Sequence, residues 1–153
     1  MFPSALRPAA LRRHPSMGVA HPPQFVAGAT RAAMLRAALL GGCVIAVALA
    51  VWAGDPTASL QADPALARLL RCMALIKGTF VLAALGAVLW RFGWPLRPPV
   101  AAVYAGGTWV LAGSTVLIWQ LSHIPLAAVL FHASAIGMLV VGWRDQNAAR
   151  KPA

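Results

Sequence analysis

Four uninterrupted apolar runs, each close to the length of a bilayer-crossing helix, constrain this chain more than any other feature. They extend from about Ala32 to Ala53, Leu69 to Trp90, Val100 to Leu121 and Ile124 to Trp143. A helix rises ~1.5 Å per residue and the hydrocarbon layer is ~30 Å thick, so about 20 apolar residues cross it. In hydrocarbon, every backbone N–H and C=O must be satisfied within the protein, which only helices and closed barrels achieve. Barrel strands appear as shorter segments of alternating polarity. These runs are continuous, so the expected fold class is all-α: an integral membrane four-helix bundle. The charge content agrees. Only 10% of the chain is charged, against roughly 25% in soluble domains, which excludes an ordinary water-soluble globule.

The charges that remain are informative by position. Lys and Arg number 13 and the acids three, Asp55, Asp63 and Asp145. Such a balance in a soluble protein would suggest nucleic acid. Here the basic residues are scattered singly between apolar runs, so nucleic-acid binding is set aside. Basic residues mark cytoplasmic loops instead. Arg7, Arg12, Arg13, Arg31 and Arg36 precede or open the first run. Arg91 and Arg97 follow the second, and Arg144, Arg150 and Lys151 follow the fourth. The opposite side has Arg68 and Arg71 alone. Both termini are therefore expected in the cytoplasm, and the membrane is expected to be a bacterial cytoplasmic (inner) membrane.

Residues 1–31 read as a disordered basic cytoplasmic tail, rich in proline and free of acids, and residues 144–153 as a second cytoplasmic tail. The tail contains no apolar stretch of signal-peptide type before the first run. The loops carry helix punctuation. Asp63-Pro64 is an N-cap followed by proline at the first helical position, so the second helix can begin at Pro64. Arg97-Pro98-Pro99 resets the chain before the third run. Ser122-His123-Ile124-Pro125 is short enough to force an antiparallel hairpin between the third and fourth. Trp52, Trp90, Trp94, Trp119 and Trp143 fall at run ends, as an interfacial belt requires, whereas Trp109 falls in mid-run. Small residues recur four apart at Ala38/Gly42, Ala74/Gly78, Ala102/Gly106 and Ala133/Gly137, giving each helix a strip along which another backbone can approach. Cys43 and Cys72 sit at different depths in their runs and are expected as buried thiols rather than a disulfide.

Two side chains stand out as candidate ligand-binding residues, Lys77 and His132. Lys77 lies ~20 Å along its helix from Trp90, near the middle of the hydrocarbon. A cation there costs at least ~2.5–3.5 kcal/mol and marks a functional site by default. No acid lies within the apolar runs. The lysine could stand neutral, snorkel outward, pair with an acid on another subunit, or bind an anionic or carbonyl-bearing ligand. His132 lies ~17 Å from Trp143, at a matching depth. It can serve as a haem or quinone contact or as a simple interhelical hydrogen bond. His123 stands at the opposite surface, ~13 Å away along the helix axis and on the other face, so the two cannot ligate one metal together. Either would need a partner ligand. Thr108 and Thr115 in the third run are expected to bond back to their own helix.

No phosphate-binding glycine loop, metalloprotease His-Glu pattern or nucleophile elbow is present, and the sequence requires no cofactor. Three function classes follow. The first, needing the fewest special residues, is a non-catalytic subunit or accessory protein of a larger membrane complex, held through small-residue helix faces to other subunits or to its own copies. The second is a quinone- or haem-associated redox component using His132 and Lys77. The third is a small oligomeric transporter or channel.

Overall fold

The computed structural model describes residues 24–55 and 57–149. The described chain is helical throughout its length. It comprises α1 (Gln24–Ala53), a single turn α2 (Ala58–Gln61), α3 (Pro64–Arg91), α4 (Pro98–Trp119) and α5 (Ile124–Ala149). Four of these are long and apolar enough to cross a membrane. The helices overrun the apolar runs at both ends. α1 starts at Gln24, inside the segment expected to be a tail, because no helix breaker separates Pro22-Pro23 from Gly54. Residues 1–23, where the rest of that tail falls, lie outside the described residues. α5 continues past Trp143 to Ala149, and its last turns are tied to α3 by an ion pair described below.

The helix starts follow local chemistry. The Asp63 carboxylate accepts a hydrogen bond from the Leu66 N–H at 3.0 Å with Pro64 at the first helical position, which satisfies one of the orphan donors of the first turn. Pro98 and Pro99 open α4, where their missing N–H groups cost nothing. The α4–α5 turn is tight enough that Leu121 (φ 61°) and His123 (φ 48°) adopt the left-handed region. That conformation costs a non-glycine residue roughly 1–2 kcal/mol. The turn is pinned across the molecule: buried Ser122 accepts the Asp55 N–H on Oγ at 2.7 Å.

α4 is the hub. It packs against α1, α3 and α5, whereas those three make few contacts with one another. Within the apolar windows, 39% of α4 is buried, against 11% of α1, 11% of α3 and 17% of α5. The arrangement is thus a central helix with three satellites rather than a square bundle. Three apolar layers stack along it. One holds Leu39, Val88, Phe92, Leu96 and Ala101. The next holds Val81, Leu111, Ala112 and Phe131, and the last Ala74, Ile118 and Ala127. The first layer lies at the end that also carries Arg31, Arg36, Arg91 and Arg97. There the Arg31 guanidinium donates to the Leu96 carbonyl and Arg36 Nε to the Leu89 carbonyl, at 3.5 and 3.2 Å. We call this the basic end.

The α1–α4 seam is a close approach. These helices run parallel, and α1 presents Gly42 to the Trp109 indole. A Cβ at Gly42 would run into the ring. The indole N–H donates to the Leu39 carbonyl at 3.0 Å, so the one mid-run tryptophan serves as a cross-helix strut. Further along, Gly113 lies against the Ala46 backbone, where a Cβ would stand 3.3 Å from its carbonyl oxygen. Backbone proximity of this kind is how helices associate where lipid is as apolar as leucine.

Candidate functional site

α3 and α5 both lean on α4 and leave a groove between them. Its floor is Tyr104 and Leu111 of α4, and its walls include Phe80 and Ala84 of α3 and Ala135 and Met138 of α5. The groove encloses about 580 Å³. Two long cationic side chains of α3 reach across to α5. Lys77 Nζ stands 4.0 Å from the centroid of the Phe131 ring. Toward the basic end, the Arg91 guanidinium donates to the Asp145 carboxylate at 2.6 Å. Both bridges join residues 54 apart in sequence, which requires α3 and α5 to run parallel in constant register. The bridges are ~21 Å apart along the helices.

Phe131 is the partner for Lys77 that sequence reasoning missed. The search there was for an acid, and the spans contain none near Lys77. An aromatic face is a negative quadrupole and attracts an ammonium by ~0.5–2 kcal/mol or more as water is withdrawn. The signal was present in the sequence: Phe131 precedes His132 directly, at the depth already assigned to Lys77. Asp145 was likewise counted as a tail residue. It belongs instead to α5 and forms the one ion pair among the described residues.

Lys77 and His132 flank the same ring. Phe131 and His132 meet edge to face, with centroids 5.7 Å apart at 74°. No hydrogen bond joins Lys77 to His132, and neither lines the groove. His132 is exposed, and its Nδ1 lies 2.7 Å from the Ala128 carbonyl oxygen. A carbonyl only accepts, so Nδ1 carries a proton, and in the neutral ring Nε2 keeps its lone pair. This is the orientation in which a histidine ligates or accepts through Nε2. His123 is exposed in the α4–α5 turn. Among the described residues, no three His, Cys, Asp or Glu side chains gather to hold a metal ion.

The serine and threonine hydroxyls of α4 are accounted for. Thr108 donates to the Tyr104 carbonyl at 2.7 Å, and Ser114 and Thr115 both donate to the Leu111 carbonyl, at 3.1 and 2.8 Å. All three bond within their own helix. Cys43 and Cys72 are free thiols. The tryptophans at the run ends project outward, Trp52 and Trp90 among the most exposed large side chains.

At the end opposite the basic one, the α1–α2 link is ordered by Asp55. Its Oδ1 accepts from both the Thr57 hydroxyl, at 2.7 Å, and the Thr57 N–H, at 2.8 Å. These bonds hold the Asp55 carboxyl below the usual carboxylate range, and the nearby His123 adds to the effect. Arg71 lies over the Trp119 ring, 5.9 Å from its centroid. The Gln120 side chain packs onto Gly54 with its buried Oε1 lacking a hydrogen-bond partner. A second apolar groove of about 470 Å³ runs between α1 and α3, past Ala74, Gly78 and Ala112, and its lining carries no charge.

The helices, their lengths and their composition are compatible with a small multi-pass membrane protein. Compared with protein-family models, curated proteins and solved structures, the chain matches none.

Proposed function

We propose that this chain is a non-catalytic subunit or accessory protein of a larger membrane complex, inserted with both ends in the cytoplasm. The observation that carries this reading is the outward aspect of its small-residue strips. Around Gly106 and Gly137, nothing lies within 4 Å of where a Cβ would stand, and their strip partners Ala102 and Ala133 are exposed. The chain uses Gly42 and Gly113 to seat its own helices and leaves these other strips unoccupied. A lipid chain packs indifferently against branched or flat surfaces, whereas a helix gains by close backbone approach. The orientation rests on the clustering of Arg31, Arg36, Arg91, Arg97 and Arg144 at one end. Cross-linking in native membranes from cysteines placed at Ala102 and Ala133 tests the subunit role. Adducts with a second polypeptide are expected, and recovery of monomer alone overturns it.

A second reading draws on His132, whose Nε2 is free on an exposed helix face. A partner chain supplying a second ligand would complete a haem or quinone contact there. The visible spectrum and extracted quinone content of the complex, with and without His132→Ala, decide it. A spectrum unchanged by the substitution removes His132 from any such site.

A further inference from the structure

The α3–α5 groove is not an isolated trough. At the basic end it passes Arg91 and meets a second hollow of about 550 Å³, lined by Arg91, Arg97, Arg144, Asp145 and apolar neighbours. Arg91 belongs to both. Asp145 neutralises one of the three guanidinium groups through its 2.6 Å contact with Arg91, so the hollow keeps an excess of positive charge on Arg97 and Arg144. The Tyr104 hydroxyl lies where hollow and groove meet, beside Gly142. An apolar channel thus leads to a phenol, and the phenol to a pair of uncompensated arginines.

We propose that this composite site binds one anionic glycerophospholipid, with an acyl chain in the α3–α5 groove and the phosphate between Arg97 and Arg144. The inference rests on bilayer placement of the four spans and is independent of the subunit role. Charge complementarity selects the occupant. A second protein helix would need an acid to satisfy the arginines. A phospholipid brings the anion and the chain in the order the site presents them. Arginine suits the headgroup because its planar fork matches phosphate oxygens in bidentate geometry. The Tyr104 hydroxyl is placed to donate to an ester carbonyl at the junction. The α1–α3 groove serves as the internal contrast: it is apolar, with no charged residue in its lining, and holds lipid without headgroup preference.

The experiment uses the full chain in mild detergent, titrated with phosphatidylglycerol or phosphatidylcholine of identical acyl chains and read by native mass spectrometry. Phosphatidylglycerol is expected to be retained at least tenfold better. Arg97→Gln with Arg144→Gln, which leaves the Arg91–Asp145 pair in place, is expected to lower that preference about 30-fold, or to abolish it where it begins smaller. Lysine at both positions restores most of it. Ala84→Leu with Ala135→Leu fills the groove and lowers retention of both lipids. On the unaltered protein, rising salt weakens the preference, which holds the test open should a variant not fold. Equal retention of the two lipids, indifference to the arginine substitutions, or undiminished binding with the groove filled would each overturn the proposal. Displacement by soluble glycerol phosphate would also overturn it, by showing a phosphate site that needs no acyl chain.

Discussion

The two sides of α4 are built on opposite plans. Toward α1 the helices meet backbone to backbone, with Gly42 under the Trp109 indole and Gly113 against Ala46. Toward α5, Gly107 seats the Met138 side chain, and the two satellites α3 and α5 are joined to each other by reach rather than proximity: an ammonium over a ring and a guanidinium on a carboxylate. The first plan closes the seam between the two helices. The second leaves a groove. One polypeptide thus contains a close seam and an open cleft on two sides of a single helix, and the cleft lies where α3 and α5 make few direct contacts with each other.

The largest expected effect strikes the seam. Gly42→Leu forces the indole out of place and should destabilise by ~3 kcal/mol or more, read as loss of thermal stability in detergent. Gly86→Leu is its control, since Gly86 has open space where a Cβ would be, and should change stability by less than about 0.5 kcal/mol. Equal effects at the two sites would erase the contrast. Trp109→Phe keeps the ring and removes the donor to the Leu39 carbonyl, for an expected loss of ~0.6–1.5 kcal/mol.

The cleft should be more forgiving. Asp145→Asn, which removes the charge facing Arg91, should cost about 1 kcal/mol or less, because both side chains are partly exposed. The same variant should loosen α5 past Trp143, seen as faster amide exchange in its last turns. Lys77→Leu should be neutral or stabilising. The cation–π contact it removes is worth less than the ~2.5–3.5 kcal/mol that a cation costs in hydrocarbon. A clear loss of stability would mean that the lysine has a partner beyond Phe131.

The smallest effect concerns the far-end loop. Asp55 has its folded-state pKa lowered by Thr57 and by the neighbouring His123. Its contribution to stability is therefore present above the ordinary carboxylate pKa and is lost as pH falls through the lowered value. Asp55→Asn should show a small deficit in thermal midpoint at pH 7 that closes on acidification toward pH 3. A gap that widens would contradict the sign.

Run length and continuity made the four helices, their approximate limits and the tight α4–α5 turn legible before any coordinates. The residues that close each helix start, Asp63-Pro64 and Pro98-Pro99, were legible for the same reason: their effect is local. Helix extension was harder to see, because apolarity marks where lipid ends rather than where hydrogen bonding ends. Gln24 to Arg31 and Arg144 to Ala149 are helical without being apolar. The candidate site was read only in part. Lys77 and His132 were picked out by depth, and each lies against the Phe131 ring, the one over its face and the other edge to face. Which neighbour answers Lys77 depends on the rotation of α5 about its own axis, which the apolar pattern leaves open in helices greasy on every side. The same indeterminacy hid Trp109, whose mid-run position reads as an anomaly until Gly42 is known to lie beneath it.

Because α4 is the element that the other three long helices share, the order of synthesis matters. When the ribosome has delivered α1 and α3, these two have little but their Arg36–Leu89 link and the layer around Leu39 to hold them together. They remain near-independent segments until the fourth helical element emerges and gathers them. The nascent protein thus remains unassembled for more than half its length, and acquires its tertiary structure almost entirely from the hairpin that arrives last.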